Sequence, residues 1–594
     1  MTRLAEPVRL RAARPEEAEL LSELALRSKA HWGYSEAFLA ACREALRVRP
    51  GEVDRRRVLV VERAGDLLGM ATLEGEPPNG ELGLLFVEPH AIGTGLGRLL
   101  YSRVLEKAGR LGFTRLTVES DPHAEAFYLA MGAERHGVSD EGLPVLVAWP
   151  VRPEPAWSVA WNAGGPAIRV GNVAEFNGQF AGGVRGPDHY SCLAAFCGAR
   201  PKMIVLPQPV EDWWVRDVAG VLGWGDVEVR SGIAEDGRTS EAIQARPDLA
   251  ERLVRRGSSV MPWGRSAALE AIVPSPPGVL KAIGRYESKT HSHALFSALA
   301  PDHPGIIIPA QWQVGTRRAL ARELAGRARL VLKSEYGVGG YGTLIVTPET
   351  EGRRAIARRW ARPGVLLEEY VGGSGPYRNP TFDAVVDSEG EVHAVGVGLM
   401  DVEGASYQGV TVGPGVLPGR LAETAVGFGL AVGRALAGDG YRGWYDVDFV
   451  TDRSGRLAPT EINLRLTGPA VAFGIQAALD RRRGGSHLVR TLDRLPLGAR
   501  LPAGALREHL AGTARDCRAI GATLLVTIPT AAFDPVPYVG AAIAARTHQT
   551  LLEAETTLKA ANAALGEMFA DLDVSPGRAR GPRRRRPRPR RASR

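Results

Sequence analysis

The chain has 594 residues, 44% of them apolar and 24% charged, with a formal net charge of +8. That is too long for one hydrophobic core, and the composition is that of an ordinary globular protein, which excludes a fibrous or wholly disordered one. No stretch approaches the ~20 consecutive apolar residues of a membrane helix, and the four cysteines, Cys42, Cys192, Cys197 and Cys517, match neither a disulfide framework nor a zinc spacing.

The N-terminus, MTRLAEPVRLRAARPEEAELL, carries charge throughout and does not read as a secretory signal. The expected setting is the reducing cytoplasm, off the membrane. Alternating apolar residues predict strands over 56–62 (RRVLVVE) and 67–73 around an Ala-Gly-Asp turn, and a third strand over 81–87 (ELGLLFV). A glycine-rich run at 92–97 leads into a helix over 98–111, then a strand over 115–119 and a short helix over 123–131. The proline-rich 149–157 (WPVRPEPAW) reads as a linker. A second block, 158–277, holds a buried strand (MIVLP) and a helix-turn-strand over 212–230. A third, to about 497, mixes helices and strands. A last piece, 506–573, reads as mostly helical, notably over 548–569.

Charge is unevenly placed. Residues 577–594 hold ten arginines and no acid, so removing them from +8 leaves −2 for the rest. That tail lacks apolar residues to bury and is expected to be disordered, a candidate for weak nucleic-acid binding of the kind any arginine run shows. Only seven of the 74 basic residues are lysines. A retained lysine therefore hints at a site needing a compact ammonium rather than a guanidinium fork.

The first chemical signal is a strand, then Gly93-Thr94-Gly95-Leu96-Gly97-Arg98, then a helix. Glycines let the backbone approach an anion, and free N–H groups and the helix dipole point at it. Asp121-Pro122-His123-Ala124-Glu125-Ala126-Phe127-Tyr128 follows the next strand. With Val87-Glu88-Pro89, these segments resemble the GNAT N-acetyltransferase family over residues 7–150. The resemblance implies acetyl-CoA, with its pyrophosphate at Gly93, Gly95, Gly97 and Arg98. It also implies the pantetheine arm along Leu85, Phe86 and Val87, and Tyr128 as the general acid that protonates the leaving thiolate. Glu81 is a candidate base by strand position. The family's usual arginine or glutamine is replaced here by Ile92, which removes a side-chain contact to phosphate but not the backbone cradle.

The second signal is an alternating strand, 329–334, ending at Lys333 before Glu335-Tyr336-Gly337-Val338-Gly339-Gly340-Tyr341-Gly342-Thr343. A glycine loop between antiparallel strands, with a lysine just before it, can cover a triphosphate. Lys289 opens a helix upstream, and 365–371 (VLLEEYV) is an apolar strand ending in two acids. A hairpin over 445–465 then carries Asp448, Glu461, Asn463 and Arg465, with Glu461, Asn463 and Arg465 on one parity. Two carboxylates and an amide oxygen suit Mg²⁺, and the arginine suits a transferring phosphoryl group. Singly each acid reads as a solvated strand charge; the ordered set does not. That set resembles the ATP-grasp superfamily over 278–497. The resemblance implies Lys289 and Lys333 on the phosphates of ATP, a flap at Gly337, Gly339, Gly340 and Gly342, and adenine at Glu368, Glu369 and Val371. Asp448, Glu461 and Asn463 would hold Mg²⁺. Residues 372–375 offer no acid for the ribose hydroxyls. The block holding Leu206-Pro207-Gln208-Pro209-Val210 resembles the extra domain of pheganomycin-type peptide ligases.

The expected fold class is α/β and α+β multidomain. It comprises a GNAT fold at 1–150, a pre-ATP-grasp α/β domain at 158–277, an ATP-grasp domain at 278–497, a small helical domain at 506–573 and the tail. The expected function is bifunctional, namely amide-bond formation through an acyl-phosphate on amino acid or peptide substrates, with acetyl transfer to an amine. Alternatives are a synthetase of an N-acetylated dipeptide, and a protein N-acetyltransferase brought to nucleic acid by the tail. The segment 401–409 (DVEGASYQG) is a candidate lining of the acceptor pocket. No oligomeric state follows from the sequence.

Overall fold

The structure is a computed structural model that describes residues 7–573 apart from 152–153, 163–164, 182–187, 199–200, 256–258, 338–341, 361–363 and 374. The arginine-rich tail and two of the expected flap glycines, Gly339 and Gly340, lie outside the described residues. The described residues form a multidomain α/β protein.

Two small sheets come first. Arg9–Ala12, Leu59–Arg63, Asp66–Ala71 and Leu85–Val87 form an antiparallel meander. A second, mixed sheet joins Glu74–Glu76, Asn79–Glu81, Arg115–Glu119, Pro144–Ala148 and Glu134–Val138. The strand expected over 81–87 is thus two. Asn79–Glu81 pairs in parallel with Arg115–Glu119, while Leu85–Val87 pairs with Asp66–Ala71 in the other sheet. Between them the chain changes partners, with Leu82 N–H donating to Thr117 O and Thr72 N–H to Leu84 O. The helix Leu96–Arg110 packs Leu100, Tyr101 and Val104 against this core, as its apolar spacing predicts.

Next comes a parallel sheet of Glu228–Arg230, Pro201–Val205, Ala167–Val170 and Ser259–Pro262. A small antiparallel sheet follows, in which Val365–Glu369 lies between Gln311–Gln313 and Leu330–Ser334, with Thr343–Val346 at the far edge. The largest sheet has eight antiparallel strands in the order Leu457–Asn463, Gly443–Thr451, Pro380–Val386, Val392–Glu403, Ser406–Val412, Leu488–Pro496, Tyr538–Ala545, Thr523–Ile528. The helix Gly419–Gly438 covers part of it through Ala425, Phe428 and Val432, and Gly468–Arg483 joins a second core through Ala470, Phe473 and Leu479.

Residues 506–573 are mostly helical, but they also hold two strands that the sequence did not predict. Helices Ala503–Ala519 and His548–Asp573 flank a hairpin, Thr523–Ile528 with Tyr538–Ala545, that extends the large sheet. The alanines of YVGAAIAA favour a helix locally, but the segment is buried almost throughout and pairs on both edges. Tertiary pairing overrides propensity there.

Close helix-on-sheet approach depends on two glycines. A Cβ on Gly429 would meet Phe382 Cδ1 at 2.0 Å, and one on Gly433 the Tyr445 hydroxyl at 2.0 Å, whereas Gly427 faces open space. Gly429→Ala is expected to destabilise by about 1–3 kcal/mol through overpacking. Gly427→Ala on the same helix should stabilise by roughly 0.5–1 kcal/mol. The two urea midpoints of the full-length chain, moving in opposite directions, check this.

Candidate active sites

In the N-terminal part, Leu85–Val87 runs through the turn Pro89–Ala91 into the glycine loop. Gly93 and Gly95 have φ of +82° and +92°, which other residues rarely adopt, and Gly95 is the N-cap of Leu96–Arg110. Thr94 N–H donates to Ala91 O. Among the described residues no carbonyl takes the N–H groups of Gly93, Gly95, Gly97 or Arg98, which leaves four donors without a carbonyl partner at a helix N-terminus. Ile92 packs against the core instead of reaching into the loop.

Tyr128 lies on the helix Glu125–Ala130, is 6% exposed and packs against Tyr101 and Phe127. Burial raises its phenol above the usual range, so it keeps its proton at neutral pH. Leu85 and Phe86 are half-buried and Val87 is buried beside it in the same core. Glu81 is exposed on Asn79–Glu81 and touches neither Tyr128 nor the loop among the described contacts. Sequence reasoning missed the polar cluster around Asp121, which accepts from the Tyr34 hydroxyl at 2.9 Å and from Lys29 Nζ at 3.2 Å.

The second site is a cavity of about 660 Å³. Lys289 begins the helix Lys289–Leu299, capped by Ser288, and its N–H donates to Glu335 O. Glu335 also accepts from Thr290, and thereby ties the helix start to the end of the strand carrying Lys333. Both ammonium groups are buried and both are paired. Lys289 Nζ lies 2.9 Å from Glu461 Oε2 and donates to Gly337 O at 3.4 Å. Lys333 Nζ lies 2.6 Å from Glu368 Oε1 and 3.4 Å from Thr460 O.

Gly443–Thr451 and Leu457–Asn463 pair so that Asp448 faces Glu461 and Asp446 faces Asn463. Asn463 Nδ2 donates to Asp446 at 2.7 Å and Asp448 at 3.5 Å. Arg465 binds Glu287 through Nη1 at 2.9 and 3.0 Å, while Leu464 N–H donates to the same carboxylate at 2.7 Å. Lys289, Lys333, Glu368, Glu369, Val371, Asp448, Glu461, Asn463 and Arg465 all line the one cavity, as do Val402, Gly404, Ala405 and Tyr407 of 401–409. The carboxylate of Glu368, expected beside adenine, is engaged instead by Lys333 and by Gln311 Nε2 at 3.0 Å. The carbonyl of Val371 accepts from Arg378. Gly342 has φ +80°, and its carbonyl accepts from Ser334 N–H.

Negative charge is in excess around the hairpin. Asp383 sits opposite Asp446 and accepts from Trp444 Nε1 at 2.9 Å. Burial raises Asp446 to about 7 and, with the charge of Asp446, lifts Asp383 and Asp448 well above the carboxylate range. Burial works against Glu461 ionising too, but Lys289, Lys333 and Arg465 hold it below its usual range. Asp448 Oδ1 is buried with no partner. Those features fit a hard dication, whose charge would offset the cluster. In this structure Glu461 is turned to Lys289, and no three Asp, Glu, His or Cys side chains among the described residues converge as a closed cage. Asp446 and Glu287 were missed from sequence. Asp446 shares the face of Asp448 two residues on, so parity alone could have found it; Glu287 has no such signal.

Residues 23–133 match the acetyltransferase (GNAT) family, and the chain carries a GNAT domain over those residues. No functionally curated protein matches the chain. Among solved structures it is similar to an N5-carboxyaminoimidazole ribonucleotide synthetase from Thermus thermophilus, at 17% identity over 67% of this chain and 98% of that one, with a TM-score of 0.40. It is also similar to an L-amino acid ligase from Bacillus licheniformis, at 13% identity over 67% and 97%, with a TM-score of 0.38. The PaiA N-acetyltransferase from Thermoplasma acidophilum, solved with coenzyme A, is 18% identical over 24% of this chain and 98% of that one, with a TM-score of 0.22.

The turn that sets the site hairpin yields a pH-dependent expectation. Although burial pushes the other way, hydrogen bonds from Ser454 and Arg456 hold the Asp452 carboxyl at about 2. A depressed carboxylate stabilises the fold above its unfolded value, about 4, and loses that contribution as pH falls through the folded value. Asp452→Asn should therefore lower Tm at pH 7, and the gap from wild type should close between about pH 4 and pH 2. Paired melting curves across that range read it directly.

Proposed function

We propose that this chain is a bifunctional enzyme. An ATP-grasp carboxylate–amine ligase occupies about 278–497, supported by 158–277 and by the C-terminal hairpin and helices of 506–573. It works beside an acetyl-CoA-dependent N-acetyltransferase at 1–150. The observation that carries the ligase reading is the cavity itself. Two buried lysines from separate segments, a carboxylate-rich hairpin and a buried arginine face one another across about 660 Å³.

In this reading Lys289 and Lys333 exchange their carboxylate partners for phosphate oxygens of ATP. Asp448, Glu461 and Asn463 would hold Mg²⁺, which supplies charge neutralisation between the phosphates and the acids. Arg465, fixed by Glu287, stabilises charge on the transferring phosphoryl group. The γ-phosphoryl group passes to a substrate carboxylate and ADP leaves; an amine then attacks the acyl-phosphate, and the C–O bond to phosphate breaks to give an amide, inorganic phosphate and a proton. The substrates are amino acids or peptides, and the setting is the cytoplasm. At the other site the N–H groups of Gly93, Gly95, Gly97 and Arg98 receive the pyrophosphate of acetyl-CoA, and protonated Tyr128 supplies the proton to the leaving thiolate. An acetylated ligation product would explain the fusion.

Two substitutions separate the activities. Glu461→Gln should reduce substrate-dependent ADP release by roughly 100-fold or more while acetyl transfer is kept. Tyr128→Phe should cut acetyl transfer by about 100-fold and leave ADP release unchanged. ADP release and coenzyme A release, measured against a panel of amino acids and short peptides, check both. Ligation retained in Glu461→Gln would overturn the ligase assignment.

A further inference from the structure

One wall of the cavity, rich in aromatic rings, has a different character. It is built by Tyr190 and Trp263 from the 158–277 block, Tyr407 from the large sheet and Tyr538 from the C-terminal hairpin. Tyr190 and Trp263 meet edge to face at 6.1 Å. Behind them Asp493, 5% exposed on Leu488–Pro496, accepts a hydrogen bond from the Tyr190 hydroxyl. Burial first, and then the charge of Asp493 among others, raises the phenols of Tyr190, Tyr407 and Tyr538 above their usual range.

Asp493 differs from the acids paired with Lys289, Lys333 and Arg465. Glu287, Glu368 and Glu461 each have a buried cation within 3 Å. Asp493 has none among the described residues. The neighbouring Arg494 is exposed and places its guanidinium over the Tyr538 ring, at 5.0 Å. Asp188, another acid lining the cavity, is engaged by Ser191 Oγ and Ala174 N–H and adds negative charge without offering a free partner. A buried carboxylate without a cation is costly, and aromatic rings around it are what a cation favours.

Two unpartnered polar atoms add detail. The Tyr407 hydroxyl is buried against Gly468 and makes no hydrogen bond of good geometry. Trp263 Nε1, on a side chain 3% exposed, is also buried and unpartnered. An indole N–H can only donate, so the ligand must carry an acceptor oxygen as well as a positive charge.

We propose that this wall of the cavity seats the positively charged group of a basic amino acid, an ammonium or guanidinium, with Asp493 as its counter-charge and Tyr190, Tyr407 and Tyr538 around it. The ligase reading supplies the reaction this substrate enters; the charge it carries is argued from the seat alone. Trp263 Nε1 then donates to the carboxylate or carbonyl oxygen of the same molecule.

The test pairs each cationic amino acid with a neutral analogue of similar shape, lysine with norleucine and arginine with citrulline. Full-length protein is titrated calorimetrically with each, and ADP release is measured in parallel. Lysine or arginine should bind about tenfold or more tightly than its neutral partner. Asp493→Asn should erase that discrimination, and Tyr407→Phe, which keeps the ring, should reduce it. Circular dichroism and retained acetyl transfer establish that the variants are folded. Equal binding of cationic and neutral partners, binding of neither, or discrimination that survives in folded Asp493→Asn, overturns the seat. Discrimination without ADP release keeps the seat and counts against the ligase reading. ADP release without discrimination does the reverse.

Discussion

Three buried ion pairs, Lys289–Glu461, Lys333–Glu368 and Arg465–Glu287, tie the walls of the large cavity to one another. Each joins segments distant in sequence: a helix start to a hairpin strand, two neighbouring strands of the small sheet, and the end of the hairpin to the turn before that helix. Burying five of these six charges, with Glu461 partly exposed, costs more than most pairs return, so such pairs are weak evidence of stability. Their value lies in what each partner can do once the other is displaced. A phosphate oxygen can take the place of a carboxylate on either lysine with no further desolvation of the ammonium.

The same cavity is divided by charge. Lys289, Lys333 and Arg465 stand with the acids of the hairpin, where burial disfavours ionisation of Asp383, Asp446 and Asp448. Beside the aromatic rings, burial also raises Asp493, to about 6, and the Tyr190 hydroxyl donates to it.

The N-terminal part is fixed to the rest by a compact joint. Arg546 binds Glu134 at 2.6 Å, donates to Gly484 O at 3.0 Å and stacks on Trp149 at 4.4 Å. A Cβ on Gly484 would meet Trp149 O at 1.8 Å, so the two parts pack together where only glycine fits. Trp149 belongs to a segment that composition marks as a linker, and the structure makes that segment part of an interface.

Much of both sites was legible in sequence because the information is local. The glycine loop and helix of 93–110 follow from turn chemistry and a period of 3.6. The shared face of Asp448, Glu461 and Asn463 follows from strand parity and a short turn. Apolar alternation located the strand that ends in Lys333. What the tertiary structure decided is non-local. Glu287 reaches Arg465 across 178 positions, and Tyr190 reaches Asp493 across 303. No periodicity connects such residues. The hairpin of Thr523–Ile528 and Tyr538–Ala545 was hidden because its alanines suit a helix, and only pairing with Leu488–Pro496 makes it a sheet. Side-chain identity and short spacing fixed which groups could do chemistry. Burial, long-range pairing and the balance of charge inside one cavity fixed which of them meet.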